Sequence, residues 1–379
     1  MKSFDQFGYY RVGDLKFYSK LEAIECMKKT NIHLHWDFNE AVFSSYDWTQ
    51  EPEEDILELY RQRAQQLREK YDYIVLMYSG GSDSQNILDS FVENNIQLDE
   101  IASLSNYDQT GDSTHFLNSE LFNVSIPKGK QLLEKCPWMK HTIVDVSKLT
   151  IDYFRDAATR FDWIYNLNMF FTPAQAGVDN LPRKIPEWSK IINSGKTFCL
   201  LWGHDKPRLF HENGRYSIRF IDLIDSGPKV RAMLGEQDFA EELFYWTPDA
   251  PKIIIKQAHL LKNYLDSNLH QSPFVSEKKS DLAYKTVGNK KMWLNKDGVH
   301  TIIYPRWDIT TFCAGKSDSI IYSPRDDWFW AASDTNAEVA NWKMGIDKLW
   351  TTIPDYWKND PASAKSGLRG CWSKDYYLN

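Results

Sequence analysis

The run Tyr73-Ile74-Val75-Leu76-Met77-Tyr78, followed at once by Ser79-Gly80-Gly81-Ser82-Asp83-Ser84, constrains this chain more than any other segment. The apolar, β-branched stretch reads as a buried strand. Two glycines then let the backbone turn sharply and approach a ligand with no Cβ in the way. From Gln85 to Asn95 the apolar residues Ile87, Leu88, Phe91 and Val92 fall at helical spacing. A strand, a Gly/Ser loop and a helix N-terminus together make an anion site, because free backbone N–H groups and the positive end of the helix dipole point at one spot. Ser79, Ser82 and Ser84 add hydroxyl donors, and Asp83 is placed to hold the loop or a metal.

The loop is not a Walker A loop, which needs a Lys after its last glycine; no Lys lies between Ser79 and Gln85. Nor is it the dinucleotide fingerprint, since no third glycine follows. At its five fixed positions, Ser79, Gly80, Gly81, Asp83 and Ser84, it resembles the SGGxDS loop of the ATP pyrophosphatase (PP-loop) superfamily, the adenine nucleotide alpha hydrolase-like proteins. The resemblance implies that the loop holds the β- and γ-phosphates of ATP, with Mg²⁺ as its companion. It also implies attack on the α-phosphate, giving an adenylated substrate and pyrophosphate.

At 379 residues the chain has room for one large domain with embellishments or for two domains. No run of about 18 apolar residues occurs, which argues against a membrane span, and Met1 to Gln6 lack the apolar core of a signal peptide. The five cysteines, Cys26, Cys136, Cys199, Cys313 and Cys371, are scattered and form no CxxC pair, which suits a reducing cytoplasm. A net charge of −7 gives no support to a uniformly basic nucleic-acid-binding surface. Aromatic residues make up 15% of the chain, so many rings are expected in the core or as stacking platforms.

Coarse organisation follows from the punctuation. Residues 1–52 read as a small α+β element: a hairpin through Gly13-Asp14, a helix capped by Ser19, and a strand Ile32–Trp36. His33 and His35 share one face of that strand and read as half-exposed strand residues in preference to a metal pair. A helix from about Glu53 to Lys70 leads into the motif strand. Further strands are expected at Glu100–Ser105, His141–Val146 and Thr197–Trp202, with helical segments between them. The fold class is therefore α/β, an open parallel sheet with helices on both faces over residues 53–225. Residues 226–379 read as a helical and hairpin, Trp-rich extension: a helix over Ile253–Leu265 with Lys252, Lys256, His259 and Lys262 towards its polar side, loops over 268–290, and a hairpin about Asp297-Gly298. The lysine stripe reads as a solvated face before it reads as a cleft wall or a contact for an acidic polymer. Six tryptophans lie between Trp328 and Trp372; core packing is the default for them, base stacking the alternative.

The strand over 197–202 ends in Gly203-His204-Asp205-Lys206-Pro207-Arg208. Ligands of open parallel sheets sit beyond the carboxyl ends of the strands, so this segment is expected near the loop. Gly203 allows close approach, Asp205 is a candidate Mg²⁺ ligand, and Lys206 and Arg208 can neutralise phosphate. His204 is a base or an exposed turn residue. Asp83 and Lys206 are the catalytic candidates, and Asp83 and Asp205 the metal candidates. Ser105, Asn106, Tyr107 and Asp108 occupy the region that contacts adenine or ribose in the resembled superfamily.

Absences narrow the chemistry that the resemblance implies. Sulfur-transfer branches use cysteine pairs or clusters, and none occurs. Glutamine-using synthetases carry Cys at position 2, where this chain has Lys2; Gly370-Cys371-Trp372 does not match the motif of the sulfonucleotide reductases. What remains is an ATP-dependent adenylating enzyme that passes its adenylate to a nitrogen nucleophile. The alternatives are a nucleic-acid base-modifying enzyme and a nucleotide-binding module without turnover. Its partners are ATP and a small-molecule or nucleic-acid acceptor. In overall character the chain is similar to PP-loop proteins of large tailed bacteriophages, which would put it in the host cytoplasm.

Overall fold

A computed structural model describes residues 4–105, 120–156, 178, 180–204, 206–222, 238–268, 275–276, 283–287, 290–294, 296–311, 337–364 and 367–379. The N-terminal element forms as its turn and cap residues dictate. Strands β1 (Tyr9–Val12) and β2 (Leu15–Phe17) pair through Gly13, at φ +61°, and β3 (Leu34–Asp37) closes an antiparallel sheet in the order β2-β1-β3. The helix Lys20–Thr30 is capped by the Ser19 hydroxyl, which accepts from Glu22 N–H at 3.4 Å, and ends on Asn31 in the left-handed region.

The centre is a five-stranded, all-parallel sheet. Its strands are β4 (Tyr73–Met77), β5 (Glu100–Ser105), β6 (Lys140–Asp145), β7 (Phe198–Trp202) and, after β8 (Arg208–Glu212) and β9 (Arg215–Arg219), β10 (Ala240–Leu243). The order across the sheet is β10-β7-β4-β5-β6. The first three strands thus run outward to one side of β4 and the last two to the other. All five residues of β4 are buried, as an apolar run without alternation requires. Ile74, Leu76 and Tyr78 enter the larger core with the helices Ile56–Lys70 and Ser82–Val92, while Tyr73, Val75 and Met77 meet Trp188 and Ile192 of the helix Pro186–Asn193. Helices therefore flank both faces.

Four sequence expectations change here. The parallel sheet takes its fifth strand, β10, from beyond residue 225. Its sequence, AEEL, does not look like a buried strand. Burial is possible because Glu242 receives Arg63 Nη2 at 3.2 Å, Lys70 Nζ at 3.1 Å and the Tyr71 hydroxyl. Conversely β8 and β9, joined through Asn213 and Gly214 at φ +51° and +77°, leave the parallel sheet for a separate six-stranded one, β11-β13-β12-β8-β9-β14. That sheet also holds β11 (Val275–Ser276), β12 (Ala283–Val287), β13 (Lys290–Leu294) and β14 (Tyr376–Tyr377). Strands thus run through the supposed loop at 268–290, and the supposed turn at Asp297-Gly298 lies inside a helix, Lys296–Ile303.

Aromatic rings bind the layers. Phe220, just past β9, packs on Phe38 at 4.7 Å and Trp246 at 5.1 Å between ring centroids, and Trp48 packs on Tyr376 at 4.7 Å. The lysine stripe on the helix Pro251–Asn268 is anchored: Lys252 pairs with Glu54, Lys256 Nζ with Glu51 at 2.7 Å, and the His259 ring lies 2.9 Å from the Trp48 carbonyl. Trp328 and Trp330 lie outside the described residues, as does the side chain of Trp342.

A buried node ties both ends of the chain to the middle. Lys20 and Asp222 are fully buried. Asp222 Oδ2 receives Lys20 Nζ at 2.7 Å and the Tyr10 hydroxyl at 2.8 Å, and Oδ1 receives the Cys371 amide at 2.7 Å. Lys20 Nζ also reaches the Arg369 carbonyl at 2.6 Å. Removing one partner of such a pair leaves an uncompensated charge in the core. Asp222→Ala should therefore lower stability by about 3–5 kcal/mol in denaturant unfolding, whereas an exposed pair such as Lys252–Glu54 should contribute less than about 1 kcal/mol.

Candidate functional site

In chain order the parallel sheet reverses direction between β4 and β7, and a crevice at the carboxyl ends of strands on either side of such a reversal is the usual ligand site of open α/β sheets. The two segments singled out from sequence are the loops that leave these two strands. Gly80 lies at φ +74°, and a Cβ there would meet Val124 Cγ1 at 2.8 Å and the Ser125 backbone at 3.2 Å. Gly81 has an ordinary φ of −76° and serves as the helix N-cap. The fold thus demands glycine at 80 more strongly than at 81.

The two fixed serines zip the loop onto itself. Ser79 N–H donates to Ser84 Oγ at 3.2 Å, Ser84 Oγ donates to the Gly81 carbonyl at 3.2 Å, and Gly81 N–H donates to Ser79 Oγ at 3.3 Å. The first helical bond runs from Gln85 N–H to the Gly81 carbonyl at 2.9 Å. The amides of Ser82, Asp83 and Ser84 therefore precede the helical ladder. Gly203 follows β7 so closely above the motif helix that a Cβ would sit 3.0 Å from Ile87 and 3.4 Å from Asp83 Cβ.

Between these loops lies a cavity of about 370 Å³, within the size range of small-molecule sites (~300–1,000 Å³). Ser79, Asp83, Ser84 and Gly203, expected from sequence, line it together with Ser103, Glu120, Ser125, Trp202 and His204. The His204 ring lies over Trp202 with centroids 6.0 Å apart. Gly80, Gly81 and the buried Ser82 do not line the cavity. Ser105 ends β5, buried, one residue past the wall residue Leu104. Arg208 is buried at the head of β8, in the other sheet, and does not line the cavity. Asp205 lies outside the described residues, as do Asn106, Tyr107 and Asp108.

Asp83 is the electrostatic centre. Its Oδ2 receives Lys206 Nζ at 2.5 Å and its Oδ1 the Tyr304 hydroxyl at 2.6 Å; its carbonyl receives the Tyr245 hydroxyl at 2.8 Å. Burial alone would raise the carboxyl pKa, but the Lys206 ammonium, nearby His300 and the two side-chain hydrogen bonds prevail and hold it at about 2. Sequence reading had both charges but not their pairing, and had neither tyrosine: nothing in a linear sequence marks Tyr245 or Tyr304 as lying beside residue 83. It also missed a polar cluster at the end of β5, where Ser103 Oγ sits 2.6 Å from the Tyr78 carbonyl, 2.5 Å from Ser125 Oγ and 2.9 Å from His141 Nε2. This cluster fixes the backbone one residue before the loop, and burial lowers the His141 pKa.

The depressed pKa of Asp83 has a testable sign. Its ionised form stabilises the fold at pH values above the ordinary carboxyl range, and that contribution disappears as pH falls from about 4 through about 2. Wild type should exceed Asp83→Asn by about 2 kcal/mol near neutral pH, and urea unfolding at stepped pH should show the gap closing between about pH 5 and about pH 2.

Compared with known proteins, the sequence matches no family model and no curated protein, so the function has to be argued from this geometry.

Proposed function

We propose that the chain binds ATP at the Ser79–Ser84 loop and transfers its adenylyl group to an acceptor oxygen, releasing pyrophosphate, before a nitrogen nucleophile displaces AMP. One observation carries this reading: a loop of SGGSDS sequence, with a glycine at positive φ, opens onto a cavity at the reversal point of a parallel sheet. The groups present fit a phosphate chain. They are amides at a helix start, the Ser79 and Ser84 hydroxyls, and an ammonium one ion pair away at Lys206.

They do not by themselves make a divalent-metal site. Both Asp83 oxygens are engaged, and among the described residues no group of three metal-ligating side chains occurs. Mg²⁺ would therefore arrive with the nucleotide and supply charge neutralisation on its phosphates.

In this reading the protein works by positioning and charge neutralisation, without a protein nucleophile. The loop amides fix the phosphate tail, and Lys206 offsets charge growing on the departing pyrophosphate. Cys371 takes no part: its thiol is buried in the Lys20–Asp222 node, and burial pushes its pKa up.

The test is incubation of purified protein with α-labelled ATP and Mg²⁺ in the presence of candidate amines, carboxylates and tRNA. AMP and pyrophosphate released in step with an acceptor support the reading. ATP bound but never cleaved would make the chain a nucleotide-binding module, and no binding at all would sink the proposal. Ser84→Ala, which removes the acceptor of Ser79 N–H, should weaken ATP binding about tenfold. Gly80→Val, which forces a side chain into Val124 and Ser125, should abolish it.

A further inference from the structure

A carboxylate in the first turn of a helix is drawn to the helix's own amides, the groups an incoming phosphate would use. Asp83 holds that position in the motif helix, yet its oxygens are taken instead by Tyr304 and Lys206. Tyr304 comes from 221 residues further along and is itself rigidly placed. It is 1% exposed, its ring packs on Tyr245 at 5.5 Å and Tyr60 at 6.3 Å, and the Tyr60 hydroxyl donates to the carbonyl of Ile303 at 2.8 Å. Gln257 in turn donates to the Tyr60 hydroxyl at 2.8 Å. Two helices outside the parallel sheet thus hold one phenol against one carboxylate.

We propose that Tyr304 is a positioning residue for the phosphate loop: its hydroxyl, beside the Lys206 ammonium, keeps the Asp83 carboxylate off the amides that a polyphosphate would occupy. The inference rests on reading Ser79–Ser84 as a phosphate site, and it gives the region after residue 290 a part in ligand capture. Without the hydroxyl the carboxylate keeps Lys206 but gains freedom to turn back onto the helix start, where it competes with the ligand.

Calorimetric titration of the full chain with inorganic pyrophosphate, for wild type, Tyr304→Phe, Asp83→Asn and the double variant, tests this. Tyr304→Phe removes the hydroxyl and keeps the ring, and should weaken pyrophosphate binding about fivefold to tenfold. Asp83→Asn, with no charge to compete, should bind at least as tightly as wild type. In that background Tyr304→Phe should change affinity less than about twofold. An equal loss in both backgrounds would show that the Tyr304 hydroxyl acts independently of the Asp83 carboxylate and would overturn the proposal, as would full binding by Tyr304→Phe. Loss of binding in Asp83→Asn would also overturn it, and this arm decides even where Tyr304→Phe does not fold. Wild type that binds no pyrophosphate would remove the phosphate-site reading along with it; wild-type binding unaltered by Tyr304→Phe would remove this inference alone.

Discussion

A strand covered on both faces can pair its backbone only with its neighbours, and this requirement at β4 organises the molecule. With helices on either side, β4 needs a strand along each edge, and the chain supplies β5 on one and β7 on the other. The two connections therefore depart in opposite directions and leave a gap between their loops that no crossover fills. The cavity is that gap. Its floor is buried sheet, its rim is loop, and the polar groups around it are those that a strand end and a helix start must expose.

Much of this was legible in the sequence because it rests on local patterns. The motif strand, the loop and the amphipathic helix after it are specified within about twenty positions. The strands over 100–105, 140–145 and 198–202 announce themselves by β-branched and apolar content. Other elements were hidden for identifiable reasons. Ala240–Leu243 carries two glutamates, and only the distant Arg63, Lys70 and Tyr71 make Glu242 tolerable inside. Asn213-Gly214 is a strong two-residue hairpin signal.

At the site the sequence offered the right charges without their geometry. Asp83 and Lys206 each read as a group facing a ligand, whereas in the fold they face each other. The contacts that decide how free either is, from Tyr245 and Tyr304, come from segments whose local sequence reads as turn or hairpin. Of the two motif glycines, sequence treats them alike, and only the backbone angles and the nearness of Val124 separate their roles.

The node at Asp222 has a bearing on biosynthesis. Lys20 and the Arg369 carbonyl that it bonds lie 349 positions apart. On a ribosome the lysine emerges first and waits 202 residues for its counter-charge at Asp222 and 349 for its second acceptor. The helix that carries it cannot dock in final form on a nascent chain that stops short of residue 369. Completion of the node is thereby tied to synthesis through residue 371, and a product stopped short of it lacks both the second acceptor of the Lys20 ammonium and the amide that satisfies Asp222 Oδ1.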